Sequence, residues 1–132
     1  MASDGPGGRL TDLRNGLLRL HKTLLDSDRA HYEHEVEKIR TTGQMLQLVL
    51  HDPWFAWLRE LSGLVVMIDE ALAAEEPVTA AGAERLITET RTLLMPNESG
   101  TGFRRRYFEA LQRDPGNVLA HREATKLLQS LM

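Results

Sequence analysis

Cysteine is absent from this chain. That removes disulfides, thiolate zinc sites, iron–sulfur clusters and cysteine nucleophiles together. Aromatic residues make up only 5% of the sequence, without the run of rings that would stack single-stranded bases. Nor is there an excess of one charge. The 16 Lys plus Arg stand against 19 Asp plus Glu, a formal net charge of -3, too little for a general grip on nucleic acid or acidic lipid. The longest uninterrupted apolar run, Leu64 to Ile68, falls far short of the roughly 20 residues that cross a bilayer. The polar start, Met1 to Gly8, has no basic stretch followed by an apolar core. It reads as neither a secretory signal nor a transit peptide, and a cytoplasmic protein is the expectation. Glycine-x-serine-x-glycine, Rossmann glycine and His-Glu-x-x-His patterns are all missing.

What remains is ordinary globular composition: 132 residues, 42% hydrophobic and 27% charged. A chain of this length suits one domain. The Gly/Pro-rich residues 1–9 read as a disordered tail and 10–132 as a single helical-bundle domain. Thr11 can cap a helix starting at Asp12. Leu13, Leu17, Leu20 and Leu24 follow at helical spacing, with Leu18, Leu25, Tyr32, Val36 and Ile39 on a neighbouring stripe. Without Pro or Gly between Leu17 and Arg40, one helix is expected to run to the Thr41-Thr42-Gly43 stop. Gln44 to Leu50 suggests two helical turns.

Asp52-Pro53 is a cap-plus-proline start. From it Trp54, Leu58, Leu61, Val65, Ile68 and Leu72 keep a helical rhythm, widened by Trp57, Leu64 and Ala71. Thr79 can cap a fourth helix carrying Ala83, Leu86, Ile87, Thr90, Leu93 and Leu94. After the loop Asn97 to Gly102, a shorter helix turns Phe103, Tyr107, Phe108 and Leu111 inward. Asp114-Pro115 opens the last helix, through Ala124, Leu128 and Leu131. No alternating β-type segment occurs. The class is therefore all-α: an antiparallel bundle of about four principal helices and two short ones.

The segments His51-Asp52-Pro53-Trp54-Phe55-Ala56-Trp57-Leu58-Arg59-Glu60-Leu61-Ser62 and Phe103-Arg104-Arg105-Arg106-Tyr107-Phe108-Glu109-Ala110-Leu111-Gln112-Arg113-Asp114-Pro115 resemble a group of small bacterial proteins of unknown function. The resemblance implies a helical domain in the bacterial cytoplasm and brings no activity, cofactor or catalytic residue with it.

Four places could carry chemistry. His31 and Glu35, at i,i+4, can reach one metal ion from a single helix face, with His34 beside them and His21, His51 and His121 elsewhere. The surrounding Glu33, Glu37, Lys38 and Arg40 make a solvated charged surface the simpler reading, so no metal site is favoured. The loop Ser99-Gly100-Thr101-Gly102 followed by Arg104, Arg105 and Arg106 could hold an anion at a helix start. Its plain alternative is a helix cap whose arginines pair with acidic neighbours. Trp54, Phe55 and Trp57, with His51 at the same helix entrance, are candidates for a ligand pocket or partner surface. Core packing is the simpler reading for the two tryptophans, which fit a buried stripe, whereas Phe55 falls on another face and is the better candidate for an outside contact. Asp26, Asp28, Asp69 and Glu70 would matter if buried, but their positions suggest solvated surface.

The leading functional expectation is a non-enzymatic protein-interaction or regulatory module without cofactor. Its partner would be another protein or a second copy, with a homodimer left open, and neither nucleic acid nor membrane. The alternative is a small-ligand or metal-binding helical bundle.

Overall fold

The structure, a computed structural model, describes residues 5–132. Helix covers 80% of it, and no strand occurs among the described residues. The elements are α1 (Pro6–Glu35), α2 (Thr42–His51), a 3₁₀ segment (Pro53–Leu58), α3 (Arg59–Ala73), α4 (Ala80–Leu93), α5 (Gly102–Arg113) and α6 (Pro115–Ser130). The all-α class is as the periodicity requires.

Helix α1 is the hub, packing on α3, α4, α6 and the 3₁₀ segment. Its stripe Leu13, Leu17, Leu20 and Leu24 is fully buried, and meets Leu61, Val65 and Ile68 of α3 and Ile87 of α4 in the main core. Each such leucine contributes roughly 1.5–3 kcal/mol of burial free energy. Gly16, also buried on α1, lets α6 come close: a Cβ there would collide with the Leu127 side chain. A smaller cluster of Tyr32, Ile39 and Phe55 lies under α2, flanked by Met45, Leu48, Val49 and Trp54.

Three boundaries differ from the sequence reading. The first is the start of α1. Met1 to Asp4, part of the expected tail, lie outside the described residues, but the helix already begins at Pro6. Proline suits the first helical position. Thr11 is not a cap; its hydroxyl donates to the Gly7 carbonyl at 2.9 Å from inside the helix. Leu10 is wholly buried, and Arg9 donates to the Leu131 carbonyl and pairs with Glu84 at 3.2 Å. Those contacts offset the poor helix propensity of Gly7 and Gly8, about 1 kcal/mol each.

The second is the end of α1, at Glu35 rather than near Arg40. Val36 leaves the helix, and the Ile39 N–H donates to Glu33 Oε2 at 2.9 Å. Leaving the helix buries Ile39 against Tyr32 and Phe55. Thr41 is then no stop but the cap of α2, accepting from Gln44 N at 3.0 Å.

The third is the element after Asp52. The cap is as expected, Asp52 accepting from Trp54 N at 2.8 Å, but the first six residues are 3₁₀ helix. With about 3.0 residues per turn instead of 3.6, the inward positions change. Phe55, expected on an outer face, is 1% exposed, and Leu58, one 3₁₀ turn on, is buried too. Trp54 is half-buried. The caps at Thr79 and Asp114 are as the sequence indicates, each accepting a backbone N–H at 2.9 Å. Among the described residues no helix is long and apolar enough to cross a membrane.

Candidate ligand cleft and the buried polar cluster

The last turn of α4, the Leu94-Met95-Pro96 connection and one face of α6 enclose a cleft of about 420 Å³. That volume falls within the usual range for small-molecule sites. Its floor is made by Leu94 and Leu128, both buried, and its rim by the exposed Met95 and Met132. Polar groups enter from two helices. From α6 come His121, Thr125 and Gln129, spaced at i, i+4 and i+8 and so on one face. From α4 comes Arg91.

Arg91 and His121 differ in how they are satisfied. The Arg91 Nη2 is buried and finds no hydrogen-bond partner among the described residues. His121 Nδ1 lies 2.6 Å from the hydroxyl of Tyr107, which is completely buried. Burial pushes the Tyr107 hydroxyl well above its ordinary range, so it stays protonated, and burial lowers His121, which stays neutral. The buried hydroxyl makes no other hydrogen bond among the described residues, so donation to Nδ1 is what satisfies it, and in that tautomer the imidazole proton is on Nε2. Thr125 donates to the His121 carbonyl at 2.9 Å, leaving its oxygen as an acceptor. Among the described residues no acidic side chain lines the cleft.

Sequence reasoning did not single out Arg91 and treated His121 only as a remote metal ligand. A signal was present. Arg91 stands four residues after Ile87 and three before Leu94, an arginine on the flank of an apolar stripe.

A second polar cluster lies at the junction of α1, the 3₁₀ segment and α5. Asp28 is 2% exposed, which overturns the expectation of solvated surface. Trp57 Nε1 donates to its Oδ2 at 2.9 Å, and Arg113 Nη2 to its Oδ1 at 3.3 Å. Trp54 Nε1 donates to the Asp28 carbonyl at 3.3 Å. Burial pushes the Asp28 carboxyl up; the Trp57 hydrogen bond and the charges of Arg113, Arg106 and His31 pull it back. The Asn117 side-chain amide, also buried, donates to Ser27 Oγ and the Ala110 carbonyl at 3.0 Å each. This cluster ties elements together. The tryptophans of the aromatic segment belong to it, Trp57 also packing on Phe103 at 5.3 Å.

The other sequence candidates are dispersed or already paired. His31 Nε2 stands 4.0 Å and His34 Nδ1 3.1 Å from Glu35 Oε1, while the His31 ring packs on Trp54 at 5.0 Å. No group of three or more His, Cys, Asp or Glu side chains placed to hold a metal ion occurs among the described residues. At the start of α5, Arg104 Nε donates to the Met95 carbonyl at 2.7 Å. Arg105 and Arg106 face Glu109 at 3.7 and 3.5 Å. Ser99 is bound to Asn97 Oδ1 through its N–H at 3.1 Å, and Thr101 is the N-cap without a side-chain bond. Gly102 has φ +63°, and Glu60 Oε1 lies 3.1 Å from where its Cβ would be. A carboxylate of the chain itself thus stands beside the proposed anion loop and opposes a second negative group there.

No protein-family model, no curated protein and no solved structure matches this chain.

Proposed function

We propose that this protein is a non-enzymatic binding module whose ligand is a small apolar molecule held in the cleft between α4 and α6. The observation that carries this reading is the cleft itself: apolar floor and rim, with a few polar groups converging from two helices. That is the usual composition of a ligand site. Side chains rather than a metal supply the contacts, since the histidines lie apart.

Octan-1-ol is a suitable neutral probe. Titrated into the full chain and followed by backbone amide shifts, it should give saturable changes confined to Arg91–Met95 and His121–Gln129. Thr125→Phe, which fills the cleft, should abolish them. Absence of localised, saturable shifts in the wild type would refute the reading.

A second reading, self-association, draws on α2. This helix buries none of its residues fully and carries no Asp, Glu, Lys or Arg, while Leu46 and Leu50, at i,i+4, are 54% and 52% exposed. A second copy covering that face would remove it from water. Sedimentation velocity showing a dimer that Leu46→Glu dissociates would favour it; a monomer at all concentrations would count against it.

A further inference from the structure

We infer that the ligand of the α4–α6 cleft is a monocarboxylate on an apolar body, its carboxylate met by the Arg91 guanidinium and the Nε2–H of His121. This deepens the proposed function and rests on its reading of the cleft.

The argument starts from donors without acceptors. Arg91 lines the cleft and has a buried Nη2 that no described residue satisfies. Nη2 itself is shielded, but the guanidinium makes no hydrogen bond or ion pair among the described residues, so an anionic acceptor in the cleft would be met by its remaining N–H groups. His121 adds a second donor in the same cleft, because Tyr107 occupies Nδ1 and leaves the proton on Nε2. Two N–H donors, one of them a planar guanidinium, suit the paired oxygens of a carboxylate.

Charge decides between anion classes. Arg91 supplies one fixed positive charge, burial disfavours the charged form of His121, and among the described residues no acidic side chain lines the cleft. Of the side chains that line the cleft Arg91 alone carries a fixed charge, and a monoanion pairs with it one to one. A phosphate dianion would bring a second charge with nothing to meet it, onto walls made by Leu94, Met95, Leu128 and Met132. A free amine or a quaternary ammonium would meet Arg91 with like charge. The apolar walls require a hydrocarbon or aromatic body behind the carboxylate, so acetate is too small to use them.

The test compares octanoate with octan-1-ol on the wild-type chain, matching chain length and changing only the head group. Amide-shift titrations at fixed pH and ionic strength should give octanoate at least tenfold tighter binding, with shifts at the same α4 and α6 positions. Arg91→Met should abolish the preference of octanoate over octanol; Arg91→Lys should keep part of it. Octylamine should bind more weakly than octanol. Equal affinity of octanoate and octanol in the wild type would overturn the carboxylate inference while leaving the cleft reading intact. Failure of both to bind would overturn the two together. Octanoate shifts centred on α2 or on Ser99–Arg106 would place the anion elsewhere and overturn the inference. The head-group comparison needs no variant, so it stands even if Arg91→Met fails to fold.

Discussion

At Asp28 one carboxylate joins three elements: α1, which carries it, the 3₁₀ segment through Trp57, and the end of α5 through Arg113. Removing one partner of such a pair is costly because the others keep their desolvation without their bond. Asp28→Ala leaves the Trp57 indole N–H buried and unpaired, while Arg113, 29% exposed, regains some water. The expected loss is about 2–3 kcal/mol in urea unfolding, the Arg113 share being discounted for its exposure. A shift below about 0.5 kcal/mol would mean that the pair contributes nothing net. Arg91 is the counterpart in the α4–α6 cleft, a cation whose buried Nη2 finds no partner among the described residues. In both cases the sequence placed a charged residue against an apolar stripe. What it could not show was the facing group, which comes from residues 29 positions away for Trp57 and 85 for Arg113.

Among the elements, α1 and the 3₁₀ segment are where local pattern and final structure part. Helical spacing continued to Ile39, but the chain left the helix at Val36 because burying Ile39 beside Tyr32 and Phe55 outweighed further helical turns. Both Val36 and Ile39 are β-branched, which lowers the local cost of leaving. Glycine substitution reads the boundary directly. Ala30→Gly, at an exposed position inside α1, should cost about 1 kcal/mol. Lys38→Gly, exposed and beyond the helix, should change stability by less than about 0.5 kcal/mol. Equal losses in urea melts would restore the longer helix. The Asp52-Pro53 cap was legible, yet a cap specifies where a helix starts, not its pitch. The 3₁₀ turn reversed the expected roles of Trp54 and Phe55, and with them the partner surface that Phe55 was expected to form.

For the molecule as a whole, the histidines link stability to pH. Burial lowers the pKa of His21 on α1 and of His121 on α6 below 6.5. The unfolded chain, with ordinary imidazoles, therefore takes up protons first as pH falls. The stability these two groups contribute is present above about pH 6.5 and is lost as pH drops through their folded pKa values. Asp28 works in the opposite sense: its raised pKa makes the folded form the better proton acceptor as pH falls toward 3.8. Urea midpoints should decline between about pH 7 and pH 5.5, the window in which ordinary imidazoles begin to charge. His121→Asn, whose carbonyl can still accept from Tyr107, should reduce the slope. Midpoints independent of pH would contradict the burial of both rings.

Periodicity by itself determined the helical class, the leucine stripe of α1, the α3 stripe through Leu61, Val65 and Ile68, and the caps at Asp52, Thr79 and Asp114. These depend on neighbours within a turn or two, where backbone geometry and capping hydrogen bonds act. The tertiary structure alone decided the burial of Asp28, the hydrogen bond between Tyr107 and His121 Nδ1 and the joint placement of Arg91 and His121 in one cleft. Each of these depends on a desolvated contact between residues far apart in the chain, and local spacing carries no record of which helices will meet.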